Sequence, residues 1–225
     1  MNHPVSILIA SRHDKDQKYI SAILSEHKDF FIAGVEKDES SVIIKSERLK
    51  PNILILDFQL PMIDLPDLAR IIRRKSPSTA IIILSEKDEP NLAYYALKAG
   101  VSGFLLKKED VDKLALIVRV ILSGGCYISV SIITGIFNAS FFKNHFQGQF
   151  SEHDLTAFTQ VERNIVIDLA NGLSYSQIAE HLNYSAGSIR NFLTAIKRKT
   201  KLKNCIQIVV FALVSGLIHF DHLQN

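Results

Sequence analysis

The first 125 residues alternate short apolar runs with amphipathic stretches, five times in succession. The runs are Val5–Ala10, Phe30–Val35, Asn52–Asp57, Thr79–Leu84 and Gly103–Leu106. Runs this short and this uniformly apolar read as strands buried on both faces of a parallel sheet. Between them, Lys15–Glu26, Glu39–Leu49, Asp67–Arg74, Asn91–Ala99 and Val111–Leu122 carry helical spacing, with Gly100 and Gly124-Gly125 as stops. Five alternating units predict a doubly wound α/β domain with a five-stranded parallel sheet. Ligands of such sheets bind beyond the carboxyl ends of the strands, near the switch point. Asp57, Ser85 and Lys107 stand at three of those ends, and the first run delivers Ser11-Arg12 to a fourth.

Composition narrows the classes of function. At 47% hydrophobic and 22% charged, the 225 residues form an ordinary globular chain of one or two domains. The longest apolar stretches, Ile206–Ile218 and Tyr127–Phe142, are interrupted by polar residues. Both fall short of the roughly 18–20 apolar residues that span a bilayer. No basic-then-apolar leader marks export, which predicts a cytoplasmic protein without a membrane partner. Cys126 and Cys205 read as packing residues in a reducing compartment. Basic and acidic side chains number 18 and 17 over residues 1–126, but 7 and 4 over residues 155–225. The positive excess therefore sits in the tail, around Lys197, Arg198, Lys199, Lys201 and Lys203.

Residues 126–154 lose the alternating pattern and read as a linker. From 155 to 225 there is no strand pattern, and four helix starts follow one another. Thr159 with Glu162 and Ser174 with Gln177 have capping-box spacing, in which each side chain satisfies an orphan backbone donor. Ser185 and Asn204 begin a third and a fourth helix. The expected architecture is an α/β domain over 1–125, a linker, and an all-α four-helix domain over 155–225.

The Asp57-Phe58-Gln59-Leu60-Pro61 segment, with Ser85, Lys107 and the Gly100–Phe104 stretch, resembles the flavodoxin-like receiver domain of two-component response regulators. The resemblance implies that Asp57 accepts a phosphoryl group from a histidine kinase. It also implies that Ser85 and Lys107 bind the phosphoryl oxygens and that Phe104 is the aromatic switch position. Phosphoryl transfer needs an in-line nucleophile and enough positive charge to neutralise three oxygens. The family supplies part of that charge as magnesium, held by an acidic pair directly after the first strand. Here Ser11 and Arg12 occupy those positions, leaving Asp57 as the one carboxylate assigned to the pocket. Asp14 and Asp16 read as helix-start charges. A cation at a ligand position repels magnesium, so no cofactor is expected and Arg12 is expected to pair with Asp57. Weak phosphorylation around a poorly held metal, and an inert pocket with Arg12 in solvent, stay open. Leu65-Pro66 departs from the glycine that the family commonly places there.

The run through Thr159, Glu162, Gly172-Leu173-Ser174, Ile178-Ala179 and Ser188-Ile189-Arg190-Asn191 resembles the LuxR-type helix-turn-helix. Ile189, Leu193 and Ile196 recur at helical spacing as a buried stripe, turning Arg190, Asn191, Thr194, Lys197 and Arg198 outward. The resemblance makes Arg190, Asn191 and Thr194 base-contact candidates, and Lys197, Lys199 and Lys201 phosphate-contact candidates. Ala186-Gly187 and Phe192 depart from the polar residues and histidine common there. The expected protein is a DNA-binding transcriptional regulator and not an enzyme, working as a homodimer on double-stranded DNA. Conventional activation at Asp57, or action through a partner regulator, are the alternatives.

Overall fold

Strand β1 (Val5–Ala10) sits inside the sheet because its last four residues are apolar and buried and it hydrogen-bonds on both sides. It pairs in parallel with β2 (Phe30–Glu36) and β3 (Ile53–Asp57). β3 pairs with β4 (Ala80–Ser85), β4 with β5 (Gly103–Leu106), and β5 with β6 (Tyr127–Ile128), again all in parallel. The strand order is β2-β1-β3-β4-β5-β6. In this computed structural model, residues 4–57, 65–138, 158–200, 202, 204–214 and 217 are described. They form two units, one within Met1–Leu122 and Tyr127–Ile136, the other within Ser123–Cys126 and Phe137–Asn225.

The first unit wraps the sheet with α1 (Asp14–Ser25), α2 (Glu39–Leu49), α3 (Leu65–Lys75), α4 (Pro90–Ala99) and α6 (Leu114–Leu122). A single turn, α5 (Lys107–Asp110), and a 3₁₀ turn (Val111–Lys113) precede α6. Ile7, Ile9, Ile53, Ile55, Ile82, Leu84 and Leu105 pack with Ile20 and Leu24 of α1 and Leu114 and Val118 of α6. Each such buried side chain contributes about 1.5–3 kcal/mol. Asp38 caps α2 by accepting from Ser41 N at 2.9 Å. Gly100 ends α4 at φ +99°, a left-handed conformation that sends its N–H back to Ala96 O and Leu97 O.

The α/β prediction holds with one addition: the sheet has six strands instead of five. β6 and a further helix, α7 (Val130–Asn138), occupy the front of the segment read as linker. A strand of two residues, Tyr127-Ile128, has no periodicity to read. The rest of that segment, 139–154, lies outside the described residues, as do Phe58, Gln59, Leu60 and Pro61.

The second unit contains α8 (Gln160–Ala170), α9 (Tyr175–His181), α10 (Ala186–Thr200) and α11 (Cys205–Val214). Both capping boxes are formed. Ser185 Oγ accepts from Ser188 N at 3.0 Å, and Asn204 Oδ1 from Gln207 N at 2.8 Å. Ile165, Val166, Ile178, Ile189, Leu193, Ile196, Ile208 and Phe211 are buried. Phe158 stacks on Phe211 with ring centroids 5.7 Å apart. Among the described residues no helix is long and apolar enough to cross a membrane.

Candidate functional site

The strand order reverses at β1, so the carboxyl ends of β1 and β3 lie side by side. Successive residues leaving a strand point to opposite sides. Ser11 takes the inward direction and is fully buried, while Arg12 is exposed. Ser11 Oγ donates to Asp57 Oδ2 at 2.7 Å, and Lys107 Nζ donates to the same oxygen at 2.9 Å. The expected Arg12–Asp57 pair is therefore corrected: the counter-charge is Lys107, delivered by the end of β5.

Lys107 also reaches Asp16 Oδ2 at 3.0 Å and lies 3.5 Å from Glu86 Oε1. Asp16 is thus a pocket residue, not a plain helix-start charge, whereas Asp14 pairs with Lys37 at the surface. Burial works against the charge on Lys107. The hydrogen bonds that Lys107 donates to Asp57 and Asp16 outweigh it and hold the ammonium above its ordinary range. Gln17 Nε2 donates to Ser11 O at 2.5 Å and fixes the turn that carries Ser11.

Ser85 and Phe104, the other two expected members, have these surroundings. Ser85 is buried, but its hydroxyl donates to Lys87 O at 2.8 Å and accepts from Lys87 N, so it braces its own loop. Phe104 is fully buried in the sheet. Asp57 Oδ1 is buried and accepts no hydrogen bond among the described residues.

Magnesium wants hard oxygen ligands, usually one or two carboxylates with waters. Ser11 offers a hydroxyl whose proton is committed to Asp57, Lys107 occupies Asp57 Oδ2, and Asp16 is the second carboxylate at that lysine. Among the described residues no group of three or more His, Cys, Asp or Glu side chains could hold a metal.

On α10, Ile189, Leu193 and Ile196 are buried while Arg190, Asn191, Thr194 and Arg198 are exposed and Lys197 is half-buried. Thr194 Oγ1 donates to Arg190 O at 2.8 Å, so its hydroxyl proton is used on its own helix. Phe192 packs edge-on against Tyr184, with centroids 5.5 Å apart, which accounts for an aromatic at that position. Lys199 also has a partner within the unit. Its Nζ lies 2.8 Å from both carboxylate oxygens of buried Glu162 on α8, so its charge is used inside the unit. Lys201 lies outside the described residues.

The place of Asp16 carries a signal in the sequence. Asp16, Ile20 and Leu24 fall at i, i+4, i+8, on the face of α1 that packs against the sheet. Glu162 had one too, being three and seven residues before buried Ile165 and Leu169.

Residues 7–119 match the response regulator receiver domain, and residues 156–212 match the bacterial regulatory proteins of the luxR family. The transcriptional regulatory protein DegU of Brevibacillus brevis is 23% identical over 224 residues, covering 95% of each chain. The oxygen regulatory protein NreC of Staphylococcus haemolyticus is 26% identical over 217 residues, covering 96% of this chain and all of the relative. Among solved structures, RcsB of Salmonella typhimurium superposes with a TM-score of 0.56 at 20% identity, covering 93% of this chain and 98% of that one. The chain belongs to the LuxR-type response regulators, DNA-binding transcriptional regulators that carry a receiver domain ahead of a helix-turn-helix.

Proposed function

We propose that this regulator binds double-stranded DNA as a homodimer and that its receiver works without magnesium-dependent phosphorylation of Asp57. One observation carries the receiver part: Asp57 Oδ2 is held by Ser11 Oγ at 2.7 Å and by Lys107 Nζ at 2.9 Å, with Ser11 in place of a metal-ligating carboxylate. Support for the DNA part comes from the exposed Arg190, Asn191, Thr194 and Arg198 face of α10. A solved RcsB–DNA complex superposes with a TM-score of 0.55 at 20% identity, and another structure holds two RcsB dimers on two parallel DNAs. In this reading Arg190, Asn191 and Thr194 meet base edges, while Lys197, Arg198 and Lys201 meet phosphates. The protein acts in the cytoplasm. A partner regulator or a histidine kinase is an additional partner of the alternative readings.

The test is a phosphate-affinity gel of the purified chain after incubation with acetyl phosphate and magnesium. No shifted band is expected. A band present in the wild type and lost in Asp57→Ala establishes the second reading, conventional activation at Asp57. That second reading draws on Asp57 Oδ1, which accepts no hydrogen bond among the described residues, and on Asp16 beside the pocket.

For DNA, Arg190→Ala is expected to weaken binding to a cognate site by about 1–3 kcal/mol while leaving random DNA almost unaffected. Equal losses on both DNAs remove Arg190 from base reading. Binding by the purified chain alone, with a steep dependence on salt, separates direct DNA binding from action through a partner.

A further inference from the structure

The turn α5 has one end in the Asp57 pocket and the other tied to the sixth strand. Lys107, its first residue, holds Asp57 and Asp16. Asp110, its last, is 3% exposed and accepts from Tyr127 Oη at 2.6 Å and from Ser129 Oγ. Ser129 Oγ in turn accepts from the backbone N–H of Leu106, directly before Lys107, at 2.7 Å. Ser129 N donates to Phe104 O at 3.0 Å. Glu109 accepts from Ser131 Oγ at 2.6 Å, in the first turn of α7. β6 itself pairs with β5 only at Gly103–Tyr127 and Phe104–Ile128. Side chains therefore supply much of its attachment.

We propose that α5 couples the Asp57 pocket to β6 and α7, with Asp110 and Ser129 as positioning residues for Lys107. A four-residue turn is only about 6 Å long and does not stretch. A displacement of Lys107 away from Asp57 is carried through the Leu106 N–H to Ser129 and through the turn to Asp110. Asp110 is buried, so it cannot exchange Tyr127 and Ser129 for water without opening the edge of the sheet. The attachment of β6 and the state of the pocket are thus set together. This inference rests on the Lys107–Asp57 pair and is independent of whether Asp57 accepts a phosphoryl group.

The test is hydrogen exchange on the full chain, reading the Tyr127 and Ser129 amides, which donate to Ser102 O and Phe104 O. Lys107→Met is expected to raise exchange at both by about tenfold relative to the amides of β1. In the Tyr127→Phe/Ser129→Ala background the same substitution adds less than about twofold, because the connection is already cut. Independent multiplication of the two effects, or no change at β6 in Lys107→Met, overturns the proposal. Coupling is reciprocal, so Tyr127→Phe, which removes one oxygen atom, is expected to shift the Lys107 ammonium resonance. An unchanged resonance overturns the proposal even if Lys107→Met does not fold.

Discussion

Lys107→Met lowers the stability of the receiver by about 3–5 kcal/mol, and adding Asp57→Asn restores most of it. The size of the first effect follows from burial. The Asp57 side chain is 1% exposed, and Lys107 is the cation that its carboxylate touches. Methionine fills much of the volume of the lysine stem but leaves the carboxylate without its counter-charge. Ser11 donates one hydrogen bond, which is too little for a buried anion. Asparagine removes the charge and keeps the shape, so the double variant lacks the uncompensated anion that makes the single one unstable. Native-state hydrogen exchange at the β3 and β4 amides reads the stability of this unit separately from that of the helical one. Additive losses in the double variant would mean that Lys107 acts by packing alone.

Lys199→Met is expected to destabilise the helical unit by about 2 kcal/mol. That is less than a fully buried pair costs, since the Lys199 side chain is 36% exposed and partly screened. Its partner gives the effect a pH signature. Burial pushes the Glu162 carboxyl up, but Lys199 and the Thr159 backbone N–H outweigh it and hold the group below its ordinary value. The unfolded chain therefore binds this proton more readily than the folded one. The contribution is complete above the unfolded value, near about 4.3, and is lost as pH falls through the lower folded value. In Lys199→Met most of that acid-dependent loss disappears, because the stabilisation is already gone at neutral pH. Melting followed at α8 and α10 between neutral and acid pH checks both parts. If stability is unchanged and the salt slope of DNA binding falls by about one, Lys199 returns to the phosphate contacts.

The strands and caps were legible because each rests on a local rule. Uninterrupted apolar runs require burial on two faces, and Thr159, Ser174, Ser185 and Asn204 all cap where their spacing placed them. The ends of the strands also identified the pocket. Which cation would hold Asp57 was not legible from strand ends alone. Arg12 is nearer in sequence, but the alternation at the end of β1 sends it outward. Lys107 lies 50 residues away and is brought in by the register of β4 with β5. Glu162 and Lys199, 37 residues apart, escaped for the same reason. A charge on an apolar helical face announces that it needs a partner, but sequence spacing does not name one. β6 is two residues long and is tied by Tyr127 and Ser129 to Asp110, a contact between distant positions that spacing does not show.

The distance between Asp57 and Lys107 along the chain also bears on the order of synthesis. Asp57 and Ser11 leave the ribosome well before the lysine that completes their cluster. Until β5 has emerged and docked, sealing the end of β3 would strand a bare carboxylate. The growing chain is therefore obliged to keep that end hydrated, and closure waits for the fifth strand. The last piece to arrive is the one that makes burial of the first two tolerable, so a fragment truncated before residue 107 has the strands of the pocket without the means to close it.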